Sequence, residues 1–318
     1  MVGKLPNLGE QLMYQEHFKL REAPFSLTPD SDYFYNYTGH QEALNVLLVA
    51  LQSGEGLIKI TGEVGTGKTL LCRKLLAALP RDFQTAYLPN PLLKPFELYQ
   101  ALAEELGINI PRGITMHDLV KRITEQLVGL RQKSKKVVLC IDEAQAMPKE
   151  TLEALRLFSN LETEKHKLLQ IVVFAQPELN KLLEGSDLRQ LRQRITFSYD
   201  LPALDREAVT GYVNHRLKVA GHKDGKLFDN AALDAIYQSS RGIPRLVNIL
   251  CHKALMVAYG QGRPMVDLRQ VKLASLDTED ATPLSWSMSA GKSFNLKIGI
   301  ITLLEIVLVI YLLRSVLS

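Results

Sequence analysis

Leu57-Ile58-Lys59-Ile60-Thr61-Gly62-Glu63-Val64-Gly65-Thr66-Gly67-Lys68-Thr69-Leu70 is the stretch that decides the fold. Leu57 to Ile60 is a short apolar run of the kind a buried strand makes. Gly62 to Thr69 fits the pattern G-x-x-x-x-G-K-[ST], and a helix is predicted from Leu70 to about Leu79. A strand, a glycine-rich turn and a helix in that order form a phosphate cradle. Glycines let the backbone N–H groups of Gly62, Glu63, Val64, Gly65, Thr66 and Gly67 face a dense negative charge with no Cβ in the way. The helix that begins at Leu70 adds the positive end of its dipole. In this pattern Lys68 reaches the β- and γ-phosphates and Thr69 holds Mg²⁺.

The pattern extends on both sides. Apolar positions at helical spacing mark 39–53, Pro95–Leu106, Met116–Gln132 and Pro148–Leu161 as helices. Gln84–Leu88, Val137–Ile141, Leu168–Phe174 and Ile195–Tyr199 read as strands. Strands that alternate with helices imply an α/β fold, a P-loop core whose parallel sheet lies between helices. After Pro202 only helices are predicted, near 204–220, 229–239, 244–260 and 267–275. The chain therefore divides into an irregular N-terminal segment (1–34), an α/β nucleotide-binding domain (35–201), a small α-helical lid (202–276), a polar linker (277–296) and an apolar C-terminal helix (297–314).

Val137 to Ile141 ends in Asp142-Glu143. A buried strand that delivers two acids beside a phosphate loop places Asp142 to order Mg²⁺ and Glu143 to orient and deprotonate an attacking water. Gln176 ends the next apolar strand, where it either faces solvent or stands near a γ-phosphate to hold the water or sense the phosphate. Arg189, Arg192 and Arg194 precede the last strand. They form either a basic helix face or a source of the cation that phosphoryl transfer needs from outside the loop, with Arg194 the first choice and Arg192 the second. Arg245, in Arg241-Gly-Ile-Pro-Arg245, starts a lid helix from which it can reach back to the γ-phosphate.

Composition excludes some classes. Cys72, Cys140 and Cys251 are far apart among apolar neighbours, with neither metal-ligand spacing nor a disulfide framework. They read as buried, reduced thiols. The net charge of +4 argues neither for nor against nucleic acid. Met1 to Gln15 has no apolar stretch of secretory-signal type.

The order of phosphate loop, Asp142-Glu143, Gln176, arginine cluster and Gly242-x-Pro-Arg245 in a helical lid resembles the AAA+ ATPases over roughly residues 35–275. Tyr14-x-x-x-Phe18, Pro24-Phe25-Ser-Leu-Thr-Pro29, the run Gly62 to Arg73, Asp142-Glu-Ala-Gln145 and Gln176-Pro-Glu-Leu179 narrow the resemblance. With these the chain is similar to the general secretion pathway protein A (ExeA-like) family, although Ala175 stands where relatives often carry glycine. The resemblance implies ATP and Mg²⁺ as ligands, ATP hydrolysis, and a homo-oligomer in the form of a hexamer-like ring, with Arg194 acting across a subunit boundary. It also implies work on inner-membrane components of a type IV (MSHA-like) pilus or a type II secretion system. In the family fold Asp32-Tyr-Phe-Tyr35 lies near the adenine, where the aromatic rings either stack on the base or pack under the lid. A nucleic-acid-associated ATPase of the transposition or initiator type is the alternative, and otherwise no nucleic-acid partner is expected.

Ile298 to Leu313 is apolar but for Glu305, with Lys297 before it and Arg314 after it. As a helix it covers roughly 24 Å, which snorkelling by the flanking cations brings close to a ~30 Å hydrocarbon core. It is expected to be a single-pass anchor in a bacterial inner membrane, with the ATPase domain in the cytoplasm on the side of Lys292 and Lys297. Gly299, Thr302 and Glu305 fall on one helix face and are expected to meet another membrane helix. Longer secretion relatives continue past this helix into a peptidoglycan-binding region, which is not expected here.

Overall fold

Five parallel strands run β1 (Leu57–Thr61), β2 (Phe83–Leu88), β3 (Lys136–Ile141), β4 (Gln170–Ala175) and β5 (Phe197–Asp200). Their order across the sheet is β2-β3-β4-β1-β5. The computed structural model describes residues 14–27, 33, 35, 37–163, 166–223 and 226–284. The helices of the α/β part are α1 (Thr38–Ser53), α2 (Lys68–Ala78), α3 (Pro95–Glu105), α4 (Met116–Gln132), α5 (Lys149–Phe158), α6 (Glu178–Leu183) and α7 (Arg189–Arg194).

The apolar runs of the central strands have a simple cause. Val137, Leu139 and Ile141 of β3 face one way, against Leu98, Leu102, Leu127 and Phe158 of α3 to α5. Val138 and Cys140 face the other way, against Leu71 and Leu75 of α2, and Leu47 of α1 packs in that same layer. Both faces are covered, so no position of the strand is left for a polar residue. β5 is an edge strand with exposure on alternate residues, and its hydrophobic pattern is correspondingly weak.

The lid is α8 (Arg206–Val219), α9 (Asn230–Ser240), α10 (Pro244–Gly260) and α11 (Leu268–Leu276). Asp205 and Asp229 cap α8 and α9 by accepting the backbone N–H groups of Ala208 and Ala232. Pro244 opens α10 at a position where its missing N–H costs nothing. Residues 14–27 lie along the lid, where Phe25 meets Phe228 edge-on at 6.1 Å and the Arg21 N–H donates to Ala220 O at 2.8 Å. The buried Arg216 of α8 donates to the carbonyl of Pro24.

Several sequence-based boundaries shift. α2 starts at Lys68 rather than Leu70. Leu168 and Leu169 are buried yet lie outside β4, which begins at Gln170, and the last strand begins at Phe197 rather than Ile195. α6 has no counterpart in the sequence reading, because six residues are too few to show a helical period. Arg189, Arg192 and Arg194 share the short helix α7. The three cysteines are free and buried, as read from their neighbours. The anchor at 297–314 and most of the linker lie outside the described residues. Among the described residues no helix is long and apolar enough to cross a membrane.

Candidate nucleotide-binding site

β1 delivers the phosphate loop at its C-terminal end, and the Gly62 N–H donates to Ala175 O at 3.2 Å, which registers the loop on β4. Gly65 and Gly67 have φ of +82° and +98°, conformations that a side chain strains. Space demands glycine as well. A Cβ at Gly65 would stand 2.4 Å from Cβ of Arg245, and one at Gly67 would stand 2.9 Å from Nε2 of His40. Thr66 tightens the turn by donating from Oγ1 to Glu63 O at 2.9 Å. Because α2 begins at Lys68, the N–H groups of Lys68, Thr69 and Leu70 belong to its first turn and have no partner within the helix.

Lys68 is buried, and its Nζ donates to Gly62 O at 2.8 Å and Glu63 O at 3.0 Å. Burial pulls its ammonium below the usual lysine range, and the carboxylates of Glu143, Asp142, Glu63 and Glu178 oppose that shift. Across the loop, Thr69 Oγ1 donates to Asp142 Oδ2 at 2.6 Å. Asp142 is 3% exposed, and burial raises its carboxyl against the bonds from Thr69 and from the Glu143 N–H. A buried carboxylate and a hydroxyl in contact form a hard-oxygen donor set. That set fits Mg²⁺, which takes one or two protein oxygens and completes its shell with phosphates and water. Among the described residues no cluster of three or more His, Cys, Asp or Glu is built to hold a metal by itself.

Glu143 follows with a left-handed backbone, φ +53°. Its Oε2 accepts the Gln176 side-chain amide at 3.0 Å and also the amide of Gln145. The structure thus brings the half-buried Gln176 to Glu143. Arg245, exposed at the start of α10, lines a cavity of about 240 Å³ together with Gly65, Lys68, Thr69 and Glu143. The arginine cluster lies elsewhere. Arg194 is exposed at the end of α7, where its charge acts on Glu162. It does not reach the phosphate loop of its own chain.

A second cavity of about 110 Å³ opens beside Thr66, Gly67 and Leu70. Tyr33, Tyr35 and Tyr37 line it from the N-terminal side, and Tyr212 and Asn248 from the lid. The Arg216 guanidinium lies 4.6 Å from the Tyr33 ring, and Tyr35 meets Tyr212 edge-on at 6.0 Å. Tyr33 and Tyr35 therefore pack under the lid and border the phosphate loop at once. Gln145, Tyr212 and Asn248 were not singled out from sequence as site residues. Gln145 lies inside the motif Asp142-Glu-Ala-Gln145, which is the available signal. Tyr212 and Asn248 sit at ordinary positions of helices far along the chain, with no local signal.

Residues 51–183 match the family described as AAA domain. General secretion pathway protein A of Aeromonas hydrophila is 40% identical over 265 residues, which cover 83% of this chain and 48% of that protein. The chain thus spans about half the length of this relative. Cdc6p of Pyrobaculum aerophilum has a similar fold, with a TM-score of 0.63 at 18% identity over 80% of this chain and 70% of the other. The ORC2 protein of Aeropyrum pernix, solved as ADPNP-ADP complexes, aligns with a TM-score of 0.57 at 18% identity over 82% of this chain and 72% of the other. These two show the shared fold of core and lid. With the phosphate loop, the Asp142-Glu143 strand end and the lid arginine in place, the chain carries an AAA domain and is similar over 83% of its length to general secretion pathway protein A.

Proposed function

We propose that this protein is a membrane-tethered, Mg-ATP-hydrolysing AAA+ ATPase that assists assembly of a type IV (MSHA-like) pilus or a type II secretion system. The observation that carries the chemistry is the Glu143 carboxylate. It stands at the end of β3, directly after the Thr69–Asp142 contact and bonded to Gln176 of the neighbouring strand end. The loop N–H groups and Lys68 bind the β- and γ-phosphates, and Thr69 and Asp142 are the residues to hold Mg²⁺. Bound Mg²⁺ supplies charge neutralisation on the phosphates. Glu143 orients a water and takes its proton as oxygen attacks phosphorus.

Trans action by Arg194 is supported by its exposure and by its position in the segment that leads to the edge strand β5. A homo-oligomer in which Arg194 completes a neighbouring site accounts for that position. The process rests on the identity with the Aeromonas protein. The membrane tether rests on the apolar run Ile298–Leu313.

Affinity purification of the Glu143→Gln variant from detergent-solubilised membranes tests the reading. Recovery of inner-membrane pilus or secretion proteins supports it. Recovery of the protein from the soluble fraction with DNA-bound proteins overturns the tether and favours a nucleic-acid-associated ATPase.

A further inference from the structure

We infer that Gln145 is a positioning residue that fixes the carboxylate of Glu143 for water activation, an inference that rests on the ATPase reading above. Gln145 lies in the single 3-10 turn, Ala144–Ala146, that follows β3 and Glu143. Its side chain uses both ends. Nε2 donates to Glu143 Oε2, and Oε1 accepts the backbone N–H of Gln176 at 2.9 Å. The Gln176 side chain closes the triangle by donating to the same Glu143 oxygen at 3.0 Å.

Glu143 needs such support. A glutamate in the left-handed region is held there against strain, and such residues persist where their surroundings over-determine them. Its backbone is held by the N–H bond to Asp142 Oδ1 at 3.0 Å. Among the described residues both side-chain bonds to its carboxylate go to Oε2 and none to Oε1. One oxygen is anchored and the other is left for a water, the arrangement an oriented general base requires. Gln145 also ties the base to the tip of β4, so Glu143 and Gln176 keep their mutual placement.

The competing explanation is that Gln145 merely ties β3 to β4. Two variants separate the roles. Gln145→Ala removes both bonds. Gln145→Glu keeps an acceptor for the Gln176 N–H and loses the donor to Glu143. The experiment measures Mg-dependent ATP turnover, Kd for a fluorescent ATP analogue and Tm, on full-length wild type and both variants. The expected result is a kcat at least roughly tenfold lower in both variants, with Kd within about twofold of wild type and the Tm of Gln145→Glu near wild type. Wild-type kcat in Gln145→Glu would reduce Gln145 to a strand tie. A raised kcat in Gln145→Ala would mean that the amide restrains the base, and would overturn the inference equally. If wild type itself turns over no ATP, the ATPase reading fails and this inference falls with it.

Discussion

Thr69 Oγ1 donates to Asp142 Oδ2 across 2.6 Å, a contact that joins the first turn of α2 to the end of β3 over a sequence separation of 73 residues. Both oxygens belong to the proposed Mg²⁺ position. Thr69→Val and Asp142→Asn are therefore expected to weaken Mg²⁺ dependence more than nucleotide binding without Mg²⁺. Titrating turnover against Mg²⁺ checks this, and an unchanged half-saturation would remove both residues from the cation.

Lys68 is the buried cation of the loop. Lys68→Ala is expected to abolish detectable binding of a fluorescent ATP analogue while the fold survives, because the lost ammonium is bonded to loop carbonyls rather than to core groups. Binding within threefold of wild type would contradict the assignment.

Glu143→Gln is expected to retain nucleotide and to lose at least ~100-fold in kcat, since the neutral amide cannot accept the proton of the attacking water. Trapped with ATP, the variant should run as the larger oligomer in size-exclusion chromatography. Equal turnover in wild type and variant would remove Glu143 as the base.

Arg194→Ala is expected to lose roughly 10³-fold in kcat. Mixing it with Glu143→Gln provides the test for action in trans. In random co-assembly half of the sites keep Glu143 and half of those face an intact Arg194, so about a quarter of the wild-type rate should return. No recovery on mixing would place Arg194 outside the neighbouring site, and the same experiment with Arg192→Ala tests the second choice.

Gly242→Ala should damage the junction between core and lid. Gly242 has φ +74°, and a Cβ there would stand 1.9 Å from Leu204 O, while the Leu204 N–H donates to Gly242 O at 2.9 Å. Gly54 is the control, with φ +85° and nothing within 4 Å of a Cβ. Gly54→Ala should cost about 1–2 kcal/mol from strain alone, and Gly242→Ala distinctly more. Urea unfolding of both variants decides, and equal losses would mean that the junction relaxes freely.

Stability should fall in mild acid. Burial lowers the His40 imidazole from its ordinary 6.5, opposed by its bond to Thr66 O, and burial lowers His252 likewise. The unfolded chain thus binds more protons than the folded one as pH falls below 6.5. The contribution is fully present above that pH and is lost as pH falls through the folded values. His40→Gln should lose less Tm between pH 7.5 and pH 5 than wild type. Parallel losses would exclude His40 as a source.

By itself the sequence determined the α/β core, the phosphate loop and Asp142-Glu143, because each of these is written locally. A strand covered on both faces must be apolar throughout, and a turn that binds phosphate must be rich in glycine. The same locality explains what stayed hidden. α6 is too short to carry a period, and the arginines of α7 show their spacing but not which way the helix faces. Only the tertiary structure decided that residues 14–27 lie on the lid, that Tyr33 and Tyr35 share a cavity with Tyr212 and Asn248, and that Gln145 and Gln176 converge on one carboxylate oxygen. Those relations depend on which strand ends and helix starts become neighbours, and neighbours across a parallel sheet are separated in sequence by whole crossover helices.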